Sequence, residues 1–426
     1  MAANNFGNAV GLACRECGTE QSWGIRYVCP ECFGPLDIVY DYSEVTREQV
    51  TASPRQDMWK YAPILPVAES YNFSRTLSPG GTKLLPADTL AQKLGMRKLW
   101  IKDDSGNPTH SFKDRVVGTA LIAAEQFNCD VLACASTGNL AHAVAAAAAR
   151  AGMTSAVFVP EGLEFGKTMA TRVYGTNVVE VEGTYDTVNR LCSLLVSEQW
   201  TESWGFVNVN LRPYYSEGSK TVGFEIAEQL GWRLPQQVVV PVAAGSLLTK
   251  TFKAFSELSG LGWVDGLDDT PLLGLPRMFG AQGSGCAPVS EAYSRGDNHV
   301  SPVKSGEGLA KSLAIGDPAD GQYALNIVNR SGGAFADVTD QEIVDGMKLL
   351  ACTEGVLGET SGGVAVGVLK KLLAQGHLDP EAETVIVNTG EGLKTLDAFQ
   401  GNIFRDLTIR ADTEEVFKRV QRNFSR

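Results

Sequence analysis

Short apolar runs alternate with longer stretches of helical periodicity along most of the chain from residue 98 onward. The short runs are mainly apolar and β-branched, without regular polar positions, which is typical of strands covered on both faces. Between them, apolar residues recur at helical spacing, and this strand–helix alternation predicts parallel sheets. The predicted strands are Leu99–Lys102, Val131–Ala135, Ser155–Val159, Val178–Val181, Val238–Val242, Met278–Ala281 and Thr384–Val387.

The same pattern predicts an α/β protein with more than one domain. A chain of 426 residues is long enough for two or three domains, each with its own core. We predict a small cysteine-rich unit in residues 1–40, followed by a connector and the N-terminal part of the large domain in residues 41–97. A smaller α/β domain is predicted for residues 98–225 and a larger one for residues 226–426.

Amino-acid composition and net charge limit the kinds of partner that we expect the protein to bind. The chain is 44% hydrophobic and 20% charged, as is usual for a soluble globular protein, and its net charge is −12. Nucleic acids and anionic membranes bind basic surfaces, so we expect neither as a partner, and an anionic ligand would need a local cationic cluster. The longest run of small apolar residues, Ala141–Ala149, is too short to span a bilayer. We expect a cytoplasmic protein, and a homodimer is left open.

Four cysteines near the N-terminus form two C-x2-C pairs separated by eleven residues. Each pair can present two thiolates to one tetrahedral ion, and a short hairpin between the pairs would bring all four together. The alternative is a set of redox thiols or a chance cluster. We predict a zinc ribbon with a structural role, because four thiolates leave no open position for a substrate. The predicted ligands are Cys14, Cys17, Cys29 and Cys32.

Lys113 lies where a predicted strand gives way to a predicted helix. Turn-forming residues 103–110 follow the strand, and a helical pattern begins at Ser111. A helix N-terminus disfavours a nearby ammonium, and a neutral lysine amine can form Schiff bases and move protons. The alternative is a surface lysine paired with Asp114. Spacing alone does not decide between the two.

A resemblance favours the first interpretation. The run G-x-T-K-L-x-x-A-x-x-L-A-x-x-L-G from Gly81, followed by I-K-D-D-S-x-N-P-T-x-S-F-K-D-R, resembles the fold-type II pyridoxal-phosphate enzymes. Within them, N-P-T-H-S-F-K-D-R-V is most similar to the threonine synthases. The resemblance implies two α/β domains with parallel sheets, like those of the tryptophan synthase β chain. It also implies that Lys113 carries pyridoxal phosphate and that Phe112 lies beside it.

Two further loops follow predicted strands. Ser136-Thr137-Gly138-Asn139 can approach a flat ligand closely, although a tight strand-to-helix turn would look the same. The resemblance implies that Ser136 and Thr137 hold the substrate carboxylate and that Asn139 contacts the 3′-oxygen of the cofactor. The second loop has small residues before a helix, which predicts an anion site. We assign the cofactor phosphate to this loop, Ala243, Ala244, Gly245, Ser246 and Leu247.

One more cofactor contact comes from the resemblance alone. The last predicted strand is followed by Thr389, and fold-type II enzymes place a hydroxyl or thiol opposite the pyridine nitrogen. The resemblance therefore implies that Thr389 faces this nitrogen.

A polar segment between the two loops could supply the local positive charge. It is either a solvated loop or an anion site, since an arginine can bind phosphate through two N–H groups. Threonine synthases have a similar N-x-R-x-Y-x-x-E-G-S-K run with its arginine near the substrate phosphate, which favours the second interpretation. The predicted substrate-binding residues here are Asn208, Asn210, Arg212 and Lys220.

The implied reaction is PLP-dependent γ-elimination and β-addition of water, which converts O-phospho-L-homoserine to L-threonine and phosphate. A β-replacement enzyme of the same fold, similar to cysteate synthase and using O-phosphoserine, or a relative from specialised metabolism, is the alternative. An adaptor that has lost catalysis is a third reading, which the intact Lys113, Asn139 and Thr389 argue against.

Overall fold

Three β-sheets organise the described part of the chain. A computed structural model describes residues 5–401 except 163–164, 184, 199–201, 269, 273, 305 and 307. The strands are β1 Ala9–Cys14, β2 Glu20–Gln21, β3 Leu36–Tyr40, β4 Lys83–Pro86, β5 Leu99–Asp103, β6 Val131–Ala135, β7 Thr154–Pro160, β8 Asn177–Val181, β9 Trp204–Phe206, β10 Gln237–Pro241, β11 Arg277–Gly283, β12 Phe335–Val338 and β13 Thr384–Asn388.

The helices lie mainly between the strands of the two larger sheets. They are α1 Arg47–Thr51, α2 Asp88–Leu94, α3 Lys113–Gln126, α4 Asn139–Ala151, α5 Phe165–Arg172, α6 Tyr185–Ser197, α7 Arg212–Glu217, α8 Lys220–Gln229, α9 Ser246–Gly260, α10 Pro288–Arg295, α11 Gly321–Ser331, α12 Asp340–Glu354 and α13 Thr360–Ala374. Short 3-10 helices occupy Met58–Ile64, Phe73–Arg75, Asp104–Gly106, Lys311–Leu313 and Gly392–Phe399. Among the helices described, none is long and apolar enough to cross a membrane.

The largest sheet has six strands in the order β12-β11-β10-β13-β5-β4. All neighbours are parallel except β4, which pairs antiparallel with β5. Strand β5 was expected in the smaller domain, residues 98–225, but it pairs with β13 on one side and with β4 on the other. This sheet therefore contains strands from all three of the segments expected after residue 40. The signal for that pairing is long-range register, which an apolar run by itself does not contain.

The second sheet has four parallel strands in the order β8-β7-β6-β9. All seven predicted strands are present, with ends that differ by at most two residues. Strands β4, β9 and β12 were not predicted. They have only three or four residues each, too few for a clear period in the sequence.

Alternate residues of the central strands enter different cores, as the two-residue strand period requires. In β10, Val238 and Val240 pack in one apolar cluster, whereas Val239 packs in another on the opposite face. In β6, Leu132 and Ala133 likewise belong to different clusters. Both sheets are thus covered on both faces, which explains the continuous apolar runs of their sequences.

The N-terminal unit forms a small antiparallel sheet in the order β2-β1-β3. The segment after it is tied to the body by buried residues of the 3-10 helix Met58–Ile64, including Met58, Trp59 and Tyr61. Tyr61 donates a hydrogen bond to Glu228 of α8. The segment expected to be a connector therefore contributes to the core.

Candidate active site

Lys113 is the first residue of α3, where three segments meet. The preceding Phe112 donates its backbone N–H to the carbonyl of Thr389 at 3.0 Å, and Ser111 forms a β-bridge with Gly390. The start of α3 is thus held against the end of β13. The Lys113 amine donates to the Tyr215 hydroxyl at 3.2 Å and lies 4.6 Å from the centre of the Phe112 ring.

Thr389 is buried beside a second hydroxyl. Its Oγ1 lies 2.8 Å from Oγ of Ser361 in α13. Because one hydroxyl can donate to the other, the threonine oxygen has a fixed orientation at the end of β13. The geometry brings Thr389 and Lys113 to the same end of the sheet.

A buried ionic network fixes the beginning of α3. We call Lys102, Asp104, Arg115 and Glu225 the anchor network; all four side chains are at most 4% exposed. Arg115 donates to Asp104 at 2.7 and 2.8 Å and to Glu225 at 2.7 and 2.8 Å. Lys102 donates to Glu225 at 2.6 Å. Two cations face two anions, so the network is neutral. It joins β5, α3 and α8, and its Arg115 lies two residues after Lys113 in α3.

The loop Ser136–Asn139 reaches across to the larger sheet. Ser136 accepts a hydrogen bond from the Gly138 N–H at 3.3 Å, and Asn139 begins α4. The Asn139 amide nitrogen donates to both carboxylate oxygens of Glu359 at 2.9 Å, and its oxygen accepts from the Lys394 amine at 2.8 Å. Asn139 is thus held between two charged groups that sequence reasoning did not assign to the site.

Burial shifts the pKa values of the ionisable groups around Asn139. Burial raises the pKa of Glu359, against the opposing effects of Asn139 and Lys394. Burial also lowers the pKa of Lys394. Burial and the nearby Lys394 lower the pKa of His142 to about 4, so this imidazole is neutral at physiological pH. Proton-transfer groups with shifted pKa values are typical of active sites.

The loop Ala243–Leu247 joins β10 to α9 and takes a turn that only glycine accommodates. Gly245 has φ +97°, and a Cβ there would lie 2.7 Å from the backbone of Asp320. Ser246 is the first residue of α9, so the unpaired N–H groups of the helix start face the loop. The backbone N–H of Asp320 donates to the Ala244 carbonyl at 2.8 Å. The loop therefore has the shape of an anion site and is fixed from outside by Asp320.

Arg212 lies next to this loop through the same aspartate. Its Nη2 donates to Oδ2 of Asp320 at 2.6 Å, while Nη1 of Arg15 donates to Oδ1 at 2.7 Å. The two arginines thus share one carboxylate. We call Arg15 and Arg212, together with the Asp320 that joins them, the arginine pair. Burial would raise the pKa of Asp320, but the two guanidinium groups hold this pKa below its usual value. The carboxylate is therefore charged, and one positive charge of the pair has no counterpart within it.

The other residues of the Arg212 segment have different surroundings. Asn210 accepts from the Phe206 N–H at 2.8 Å and donates to the Trp204 carbonyl at 3.1 Å, which closes a turn. Lys220 is buried and contacts Glu217 at 2.8 Å and Glu257 at 2.9 Å.

The side chains of Asn210 and Lys220 thus already have partners within the protein. Their assignment to the substrate stays a prediction. Oδ1 of Asn208, in contrast, is buried and has no hydrogen-bond partner among the residues that the structure describes.

The four N-terminal cysteines converge on one point. Their sulfur atoms all lie within 4.8 Å of one another, with Cys14 and Cys32 at 3.3 Å and Cys17 and Cys29 at 3.8 Å. Four thiols at this spacing match a tetrahedral ligand set.

Sequence reasoning missed Arg15, Tyr215, Asp320, Glu359, Ser361 and Lys394. Asp320 and Glu359 lie in the blocks K-S-L-A-I-G-D-P-A-D-G and E-G-V-L-G-E-T-S-G-G, which resemble the same family. Their polar residues were the available signal. Arg15 gave no such signal, because its side-chain partner Asp320 is 305 residues away along the chain.

Comparisons with known proteins show the family to which the chain belongs. A family model described as pyridoxal-phosphate dependent enzyme matches residues 75–390. The threonine synthase of Methanocaldococcus jannaschii is 35% identical over 390 residues, 90% of this chain and 93% of the relative. That of Methanosarcina acetivorans is 34% identical over 417 residues, 96% and 99% of the two chains. The chain belongs to the threonine synthase family of pyridoxal-phosphate dependent enzymes.

Solved structures confirm the predicted fold of this family member. Maize serine racemase superposes with a TM-score of 0.60 at 19% identity, over 75% of this chain and 92% of the racemase. A threonine deaminase from Solanum lycopersicum gives a TM-score of 0.60 at 20% identity, over 76% and 88%. The α/β fold with parallel sheets expected of a fold-type II enzyme is confirmed.

Proposed function

We propose that this protein converts O-phospho-L-homoserine and water to L-threonine and phosphate. The observation that carries the proposal is a pair of adjacent features that can bind anions. The loop Ala243–Leu247 has the shape of a site for one phosphate, and Arg212, joined to it through Asp320, supports a second. Two anion sites suit a substrate that brings its own phosphate to a phosphorylated cofactor.

The residues fit pyridoxal phosphate. Lys113 is the lysine that would be bound to it, with Phe112 beside it, and Gly245 permits the close approach to the Asp320 backbone that shapes the loop before α9. Thr389, oriented by Ser361, would face the ring nitrogen, and Asn139 the 3′-oxygen. When bound, the cofactor supplies an electron sink for a carbanion next to the amino group.

The protein groups supply binding and proton transfer. The Lys113 amine would move the protons at Cα and Cβ, with the Tyr215 hydroxyl 3.2 Å away orienting it. Ser136 and Thr137 would hold the substrate carboxylate, and Arg212 with Asn208 the substrate phosphate. Charge-assisted contacts from arginine would stabilise the negative charge that grows on the departing phosphate.

We also propose that the four cysteines bind one structural zinc ion. The sulfur positions fit its tetrahedral geometry, and so small a sheet gains folding energy from a metal. Elemental analysis of purified protein is expected to find about one zinc per chain. Protein without zinc, with all four thiols titratable under native conditions, would exclude the site.

The reaction is tested by product analysis. Protein loaded with pyridoxal phosphate is incubated with O-phospho-L-homoserine, and threonine and phosphate are measured. We expect both in equal amounts from the parent protein and neither from Lys113→Ala. Borohydride should trap the cofactor on the parent chain but not on this variant. Products from O-phosphoserine with an added nucleophile, and none from O-phospho-L-homoserine, would establish the β-replacement alternative instead.

A further inference from the structure

The cysteine-rich unit contacts the candidate site directly. Arg15 follows Cys14 and precedes Cys17, so it lies within the turn that presents two of the four thiols. Its guanidinium contacts Asp320 of the catalytic body at 2.7 Å and lies 3.6 Å from the centre of the Tyr323 ring. The unit is therefore part of the surroundings of Arg212.

The contacts are reciprocal. Arg15 of the unit stacks on Tyr323 of α11, and Arg212 of α7 lies 5.1 Å from the ring centre of Tyr27 in the unit. Both guanidinium groups meet at Asp320, whose side chain is 6% exposed. Two surfaces that interlock through partly buried cations define the positions of those cations closely.

A second set of contacts holds the unit in place. Asp37 of β3 accepts from the Lys250 amine, and Tyr40 donates to Glu217 at 2.5 Å. Lys250 belongs to α9, the helix whose N-terminus forms the loop Ala243–Leu247. The unit thus rests on the same helix as the predicted cofactor-phosphate site.

We propose that Arg15 is a positioning residue that makes Arg212 available to the phosphate of the substrate. This rests on the function proposed above for Arg212. Arg15 neutralises one oxygen of Asp320, so Arg212 has to satisfy only the other and keeps further N–H donors for a ligand. Without Arg15, the buried carboxylate draws Arg212 into a neutral pair, and the surplus positive charge is lost.

The cysteine cluster acts through the same contact. Cys14 and Cys17 flank Arg15, so a metal that fixes their sulfur atoms also fixes the backbone from which Arg15 extends. Removing the metal is therefore expected to act on Arg212 in the same way as removing Arg15.

The test measures binding of inorganic phosphate to the holoprotein by calorimetry, together with KM and kcat for O-phospho-L-homoserine. Arg15→Ala should raise the Kd for phosphate and the KM roughly tenfold, the scale of a charge-assisted contact, with kcat and retained pyridoxal phosphate little changed. Arg15→Lys should recover part of the affinity. Arg26→Ala, at an exposed arginine of the same unit, is the matched control and should bind phosphate like the parent.

A double variant separates positioning from simple structural support. In Arg15→Ala/Asp320→Asn no carboxylate remains to draw Arg212 away, so phosphate affinity should recover relative to Arg15→Ala alone. A role in folding only predicts further loss. Chelation of the metal should weaken phosphate binding in the parent and add little in Arg15→Ala.

The proposal is overturned if Arg15→Ala binds phosphate like Arg26→Ala, or if it loses pyridoxal phosphate in parallel with phosphate affinity. It also fails if the double variant binds more weakly than Arg15→Ala. Failure of the proposed reaction would appear separately, as a parent protein that makes no threonine while phosphate binding still depends on Arg15.

Discussion

Two buried ionic clusters, the anchor network and the arginine pair, lie close to the candidate site and differ in charge balance. The anchor network has two cations and two anions, with no side chain more than 4% exposed. The arginine pair has two cations and one anion, with exposures of 19%, 14% and 6% for Arg15, Arg212 and Asp320. The first is closed and neutral, and the second is slightly open and positive.

The difference separates a structural cluster from a binding one. A buried charge is tolerated when partners neutralise it, so a balanced cluster holds elements together and has nothing left for a ligand. An unbalanced cluster at a partly open position has a charge that an anionic ligand can neutralise. In a chain of net charge −12, such a local surplus is the feature that phosphate recognition requires.

Changing the charge balance of the anchor network should have the largest effect on the stability of the protein. Arg115→Met leaves the buried carboxylates of Asp104 and Glu225 with one cation between them. Removing one partner of a buried ion pair typically destabilises a protein by about 3–5 kcal/mol. We expect a loss of this size, measured by the midpoint of denaturant unfolding of the holoprotein.

Restoring the balance provides the control. Arg115→Met/Glu225→Gln removes one cation and one anion, so the double variant should be more stable than the sum of the two single changes predicts. Strict additivity would mean that the charges of the network do not stabilise one another.

The sequence predicted the strands of this fold better than their partners. Val238–Val242 and Thr384–Val387 are apolar because helices cover both faces of their sheet, and this signal is local. The pairing of β5 with β13 joins residues almost 300 positions apart, and no local pattern contains it. The expected division between residues 98–225 and 226–426 therefore placed two paired strands of one sheet in different domains.

The candidate site divides along the same line. The strand-to-helix junction at Lys113 and the loop of small residues around Gly245 were predictable because both are local features, although the role of Lys113 came from the resemblance. Arg15 and Asp320 were not, because each is an ordinary charged residue until folding brings the two together. Asn210 and Lys220 share a segment with Arg212, yet the structure gives their polar atoms partners within the protein.

Removing Arg212 should affect substrate use more than stability. Arg212→Ala leaves Asp320 with Arg15 as its partner, so the remaining pair is neutral and no buried charge is abandoned. A charge-assisted bidentate contact contributes about 1.5–3 kcal/mol, so kcat/KM for O-phospho-L-homoserine should fall by roughly one to two orders of magnitude. Steady-state kinetics measure the loss, and the visible absorbance of the cofactor measures its retention.

The matched control is Arg330→Ala, which should keep the parent kinetics. Arg330 is exposed and belongs to α11, the helix that follows Asp320. Kinetics of Arg212→Ala equal to those of the parent would remove Arg212 from the phosphate site. Equal losses of cofactor and turnover would assign Arg212 to the cofactor loop instead.

A third cluster sharpens the comparison, because it is balanced but lies between the cysteine-rich unit and the catalytic body. The carboxylates of Asp37, Glu217 and Glu257 face the amines of Lys220, Lys250 and Lys253. Charge balance predicts a docking role for this cluster and no ligand. Burial alone would raise the pKa of Asp37, but Lys250 and Lys253 outweigh it and lower this pKa from 3.8 to about 2.

The smallest predicted effect is the dependence of this docking on pH. Because the pKa of Asp37 is lower in the folded than in the unfolded chain, its ionisation stabilises the fold above about pH 4, and this contribution is lost as the pH falls toward 2. The contribution is about 2 kcal/mol at neutral pH and about 1 kcal/mol at pH 3. Asp37→Asn should therefore be less stable than the parent by the larger amount at pH 7 and by the smaller amount at pH 3, as measured by denaturant unfolding at both pH values.

The matched control is Asp88→Asn, which changes an exposed aspartate of α2. A difference between Asp37→Asn and the parent that stays constant from pH 7 to pH 3 would show that the lysines do not stabilise the Asp37 carboxylate. The balanced cluster would then hold the unit by packing and not by charge.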